Sequence, residues 1–205
     1  MKQQSRQAVD HFLGSVRTEL NAFLDKIQPE SYEQAVQLIE EARQKGNRVH
    51  ITGIGKPGHV SGYAASLFSS TGTPTYFLHG TEAVHGSCGQ LVPGDVVICI
   101  SNSGETAELK ATVVAIRANG CKVLGITGNE SSWLAQHSDV CLYAGVQSEG
   151  GPLNRAPRNS ILAETLSLQA LSVALQADCG QTPQDYVRCH PGGTLGQLRE
   201  DELSR

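Results

Sequence analysis

No stretch of this 205-residue sequence is apolar for more than five residues in a row, and those five run from Val96 to Ile100. A membrane-spanning helix needs about 20, so none is expected. The opening MKQQSRQAVD is polar and lacks the apolar core of a secretory signal. Six cysteines, at 88, 99, 121, 141, 179 and 189, include no CxxC pair and no zinc-ligand spacing. Cys99, Cys121 and Cys141 lie in or beside apolar runs and are expected to fill core space as small hydrophobes. These absences point to the reducing cytoplasm. Positive charge is not in excess either. The formal net charge is -4, which argues against a general nucleic-acid binder. No glycine loop ends in Gly-Lys-Ser/Thr, which argues against a nucleoside triphosphate site. No repeat, low-complexity segment or linker interrupts the chain, so residues 1–205 are expected to form one domain.

Glycine is plentiful, with 22 residues, several of them where apolar runs end. Before the first such run, Val9, Phe12, Leu13, Val16, Leu20, Phe23, Leu24 and Ile27 recur every three or four positions and predict a helix. A second helix follows Pro29, with Ser31 as its expected N-cap and Gly46 as its stop. The first helix either packs on the domain or seals a dimer. Strands are then expected at Arg48–Gly53, Thr75–His79, Val96–Ser101, Lys122–Thr127 and Val140–Tyr143. Helices are expected between them and over about Asn159 to Ala177, with a short one after Pro183. Alternating strands and helices with continuously apolar strands predict a parallel sheet covered on both faces. The layout is N-terminal helices over 1–46, an α/β core over 47–196 and a short tail over 197–205.

In such sheets ligands bind beyond the carboxyl ends of the strands. ISNSGETAE, from Ile100 to Glu108, is one of those ends. Ser101, Ser103 and Thr106 supply hydroxyls, Gly104 lets the backbone close in, and a helix starts near Thr106. Simple capping needs one hydroxyl. Three with a glycine point to a bound anion. Gly53, Gly55 and Gly58 in GIGKPG satisfy G-x-G-x-x-G, yet the acid expected about 20 residues on in a dinucleotide site is missing, and Lys56 suits a monophosphate or a sugar oxyanion better. His79 and His85 flank the next loop and could share a metal, but no third ligand is evident. Glu105 and Glu108 lie three apart at a helix start, where a negative charge is favourable anyway. Glu149 lies in a glycine-bounded loop, which suits a catalytic carboxylate better than a dipole partner. His190, in CHPGGTLG, is as readily a surface residue as a functional one.

Together these loops resemble the sugar isomerase (SIS) domain, and within it the bacterial arabinose-5-phosphate isomerases. The resemblance is carried by GIGKPGHVSGYAASLFSSTGTPTYFLH, EAVHG, GDVVICISNSGETAE, PLNRAP and HPGGTLG, in family order over about Arg48 to Gly196. It implies a flavodoxin-like three-layer αβα sandwich with a five-stranded parallel sheet. It also implies interconversion of D-arabinose 5-phosphate and D-ribulose 5-phosphate through an enediol, with no cofactor required and Kdo formation as the pathway. Lys56, Glu108, Glu149 and His190 fall where the family keeps its catalytically important lysine, glutamates and histidine. His85 matches a second active-site histidine, and His79 a position associated with zinc. Gly55, Gly72 and Thr73 match substrate-contacting turns; Ser101, Asn102, Ser103 and Thr106 match the phosphate cradle. A homodimer or homotetramer with shared active sites is implied, without nucleic acid or membrane as partner. Such enzymes usually carry CBS domains after this point; the sequence stops about nine residues after Gly196, so these modules are expected to be absent. An isomerase for another phosphosugar and a non-catalytic phosphosugar-binding regulator remain as alternatives.

Overall fold

The computed structural model describes residues 1–203, so the last two positions of the expected tail lie outside the described residues. Five strands form the sheet: β1 (Val49–Gly53), β2 (Thr75–Phe77), β3 (Val96–Ile100), β4 (Lys122–Thr127) and β5 (Val140–Tyr143). All pair in parallel in the order β2-β1-β3-β4-β5, the flavodoxin-like arrangement. Every residue of β1 and β3 is buried, because helices cover both faces. Val49, Ile51, Val96, Ile98, Ile100 and Ile126 share one core with α1 (Gln3–Lys26), α2 (Glu33–Gln44), α3 (Lys56–Ser70) and α6 (Asn159–Asp178). On the opposite face Val97, Cys99 and Val123 pack with α4 (Ala107–Ala118) and α5 (Trp133–Gln136). α7 (Pro183–Cys189) follows α6.

The sheet changes winding direction between β1 and β3. There Gly53 stands opposite Ile100, so the loops leaving these two strands emerge side by side at the switch point, where such sheets bind ligands.

Several local expectations need correction. Ser31 does not cap α2. Residues Pro29–Tyr32 wind into a 3-10 turn, and Ser31 Oγ accepts the Gln28 N–H at 3.4 Å. β2 ends at Phe77 rather than His79. Leu78 N still bonds Ile51 O at 2.9 Å, but Gly80 then turns hard against β1, where a Cβ would lie 2.9 Å from Gly53 O. Cys99 and Cys121 are core residues, whereas Cys141 is only half-buried, and all six cysteines are free thiols. α1 packs on the domain through Phe23, which is buried, and leaves Val9, Leu13 and Leu24 about half exposed.

α6 fixes the long axis of the site. It begins beside the loop after β5, where Asn159 Nδ2 donates to Ser148 O at 2.8 Å. It ends beside the start of β2, past the hydrogen bond between Ser172 Oγ and Thr71 Oγ1 at 3.0 Å. A helix of 20 residues covers about 30 Å, so α6 carries the chain from one end of the sheet to the other.

Candidate functional site

The loop after β3 is an open cup. Ser101, 4 % exposed, uses its hydroxyl internally: Oγ accepts Gly104 N–H at 3.1 Å and meets Thr106 Oγ1 at 3.2 Å. Asn102 O accepts Gly128 N–H at 2.9 Å and Thr127 Oγ1–H at 3.1 Å, which ties the cup to β4. Gly104 has φ of 66°, and a Cβ there would collide with Ser132 Oγ. Ser103 Oγ accepts Glu105 N–H at 3.2 Å and is exposed. Among the described residues, the amides of 102, 103 and 106–109 have no acceptor within the protein. Free amides at the start of a 12-residue helix, with its dipole behind them, are suited to receive an anion. Glu105 is used up elsewhere: it pairs with Lys110 at 2.5 Å and accepts Trp133 N–H at 2.8 Å, and these contacts, Lys110 first, hold its carboxyl below the usual range. Glu108, one position into the first turn of α4, is exposed and its carboxylate has no partner among the described residues.

Beside this cup lies the glycine loop. Gly55 takes φ of 67°, and a Cβ on Gly53 would stand 2.8 Å from the Pro57 carbonyl carbon. The tight turn launches α3 at Lys56, whose ammonium is exposed and forms no ion pair among the described residues. A cleft of about 340 Å³ separates this loop from the next, lined by Gly53, Ile54, Gly55, His59, Phe77 and His79. His59 is a lining residue that sequence reasoning misses; nothing in its local pattern marks it.

His79 Nδ1 accepts the Glu82 N–H at 3.4 Å, so the neutral ring carries its proton on Nε2. His85 ends the adjoining 3-10 turn (Glu82–His85) and is exposed. No cluster of three or more His, Cys, Asp or Glu able to hold a metal occurs among the described residues. Two imidazoles fall short of the three or four protein ligands zinc takes. The metal expectation at His79 therefore finds no donor set among the described residues, and no step below runs through a metal.

Glu149 also sits at a helix end: Oε2 accepts the N–H of Arg158 at 2.5 Å and of Ser160 at 3.2 Å, at the start of α6. Asn154, at φ 47°, receives the N–H groups of Glu149 and Gly150 on its Oδ1, at 2.7 and 3.1 Å, and so shapes the loop. Glu149 Oε1 takes no part in the cap and has no partner among the described residues.

Three expected site residues lie elsewhere. Gly72 and Thr73 precede β2, and His190 follows α7; Gln181, between α6 and α7, bonds Ser70 O at 3.1 Å. They gather at the amino ends of the strands. The cup, Lys56, Glu108 and Glu149 lie at the carboxyl ends, about 17 Å away across a five-residue strand. Thr73 is 1 % exposed and its hydroxyl is unpartnered. His190 Nδ1 donates to Tyr186 O at 2.9 Å with the ring stacked on Tyr186, which leaves Nε2 as the free lone pair. One chain alone does not bring the two groups together.

Fold and loops define a doubly wound αβα domain with an anion cup at its switch point. The SIS domain pattern matches residues 42–174, and the chain belongs to that family. It is 39 % identical over 168 residues to the Francisella tularensis protein named arabinose 5-phosphate isomerase KdsD, covering 82 % of this chain and 51 % of that one. The Escherichia coli K12 protein of the same name is 42 % identical over 150 residues, 73 % of this chain and 46 % of its own. The chain thus spans about half the length of the curated relatives it matches. A solved structure of the E. coli CFT073 protein c3406 in complex with arabinose 5-phosphate superposes with a TM-score of 0.85 at 31 % identity, over 93 % of this chain and 100 % of that one.

Proposed function

We propose that this chain is an aldose–ketose isomerase for a sugar phosphate, with D-arabinose 5-phosphate and D-ribulose 5-phosphate as its pair. The observation that carries this reading is the open cup of amides after β3, next to the unpaired side chains of Lys56 and Glu108. The names of the relatives supply the sugar.

The phosphate sits on the free amides of residues 102, 103 and 106–109, with the hydroxyls of Ser103 and Thr106 as further donors; Ser101 keeps the cup closed and Asn102 anchors it. This binding does no chemistry. It fixes the reacting carbons against the acid–base groups. Glu149, through its free Oε1, or Glu108 removes the carbon-bound proton, forming the enediol, and returns it to the neighbouring carbon. Lys56 steadies the oxygen charge of the intermediate as a compact cation, with the Gly55 backbone close by. His85 orients a sugar hydroxyl. His190, with Nε2 free, assists ring opening from a second copy of the chain, which also brings Gly72 and Thr73; the site is then a shared one in a homo-oligomer. No redox cofactor enters, because the carbonyl only changes place within the sugar: one proton passes from C2 to C1, a second from the C2 oxygen to the C1 oxygen, and no electrons leave the molecule.

The test is a coupled assay for ribulose 5-phosphate formed from arabinose 5-phosphate by the purified chain, beside a panel of other aldose phosphates. Turnover of arabinose 5-phosphate in preference to the panel supports the reading. Tight phosphosugar binding without turnover refutes it in favour of a sensor.

A further inference from the structure

α6 encloses one acid that the reaction above does not use. Glu164 is 0 % exposed, and neither of its carboxylate oxygens has a hydrogen-bond partner. Ser160 Oγ and Asn159 Oδ1, in the first turn of the same helix, are also enclosed and unpartnered. Positions 160 and 164 share a helix face. The backbone N–H of Ser160 is one of the two that hold Glu149 Oε2. Four orphaned polar atoms thus lie within about one turn of the point where Glu149 rests.

An isolated ion in such a place is far too costly, so the group takes its neutral form. Burial, and then the charge of Glu149, push the Glu164 carboxyl up to about 8. It is a carboxylic acid at neutral pH, with one O–H to give and one C=O to receive. An ordered water can bridge buried polar atoms beyond direct reach of each other where it finds two to four such partners.

We propose that Glu164 is a positioning acid for Glu149: uncharged, it links through a buried water to Asn159 and Ser160 and so fixes the helix N-terminus that carries the Glu149 carboxylate. This rests on the reading of Glu149 as an acid–base group of the isomerase. With Glu164 neutral, the Glu149 carboxylate meets no second charge from α6 where it rests on the helix N-terminus. Loss of the Glu164 proton places a second negative charge in the same enclosure, which repels the Glu149 carboxylate from its seat on α6. Neighbouring elements turn three titratable groups toward α6 or the loop before it. Glu19 of α1 accepts Gln147 N–H, Tyr32 of the 3-10 turn bonds Ser167, and Tyr63 of α3 accepts from Gln169. The charge acting on Glu164 is that of Glu149.

The experiment uses the full chain with arabinose 5-phosphate. It measures kcat and KM across pH for the native protein, Glu164→Leu, Glu164→Gln and Glu149→Gln, with thermal melts to follow folding. Glu164→Leu is expected to stay folded, keep KM within about twofold and lose about tenfold in kcat. Glu164→Gln, isosteric and always neutral, is expected to recover kcat to within about threefold at pH 7 and to lack the fall in kcat/KM above about pH 8 that is expected of the native protein. Native kcat in folded Glu164→Leu, or a persisting alkaline fall in Glu164→Gln, overturns the proposal. Should Glu149→Gln turn over at the native rate, the reading of Glu149 fails and this proposal with it. An inactive Glu149→Gln beside a fully active Glu164→Leu overturns this proposal alone.

Discussion

Gly104 and Ser132 meet so closely that only one of them can carry a side chain: a Cβ on Gly104 would overlap Ser132 Oγ and come within 2.9 Å of Thr127 Oγ1. This contact couples the cup after β3 to the start of α5, where Ser132 Oγ also accepts Ala135 N–H at 3.3 Å. Gly104→Ala should therefore lose about 2 kcal/mol of stability from overpacking alone, with more from its positive φ, and should weaken phosphosugar binding. Urea melts followed by the fluorescence of Trp133, the sole tryptophan, check the stability, and phosphosugar titrations check the binding. A variant as stable as the native protein would show that the cup is not locked in this way.

The hydroxyls of the cup should divide by role. Ser103→Ala removes an outward donor to a charged ligand, worth roughly 1.5–3 kcal/mol, and should raise KM by about ten- to a hundredfold. Ser101→Ala removes the internal clasp on Gly104 N–H, so it should lower the melting temperature as well as affinity. Steady-state kinetics beside melting curves separate the two patterns.

A shared site makes a complementation prediction. Lys56→Ala and His190→Ala, each inactive alone, should regain activity when the two proteins are unfolded and refolded together, because some mixed oligomers contain a site with both native side chains. Persistently inactive mixtures would show that Lys56 and His190 of different copies do not share a site.

Acid stability should centre on Asp95, which is fully buried at the amino end of the sheet. Burial opposes its charge, but N–H groups of Val92 and Arg48, at 3.0 and 2.8 Å, and the His50 ring at 3.1 Å outweigh it and hold the carboxyl below the usual range. A depressed folded value means that this contribution is present above the unfolded pKa, about 3.9, and is lost as pH falls through the folded value. His50 adds to the same trend, since burial lowers its affinity for a proton and acid must charge it. Asp95→Asn should melt lower at pH 7 and show a flatter melting temperature between about pH 4 and pH 2.

Much of the fold was legible because its signals are local. The continuous apolar run of β3, bounded by turn residues, fits a strand buried on both faces, and Gly46 at φ 77° stops α2 as its position implied. Ser31 misled because a 3-10 turn after Pro29 competes with capping, and short-range pattern does not distinguish the two. The contact of Glu149 with α6 was not legible because its helix partner lies nine residues on, beyond any capping pattern. The one signal for Glu164 was an acid amid the apolar ILAETLSL run, which gains meaning only once α6 is known to be enclosed along that face.

By itself the sequence determined the order and type of the elements, the parallel sheet and the chemistry gathered in the loop after β3, since hydrophobic period, glycine and capping hydroxyls act over a few residues. Tertiary structure decided the rest: that Ser101 turns inward while Ser103 faces out, that Glu149 rests on α6, and that His190, Gly72 and Thr73 stand at the far end of the sheet. Those outcomes depend on contacts between residues distant in the chain, which strand register and helix length fix and no local pattern encodes.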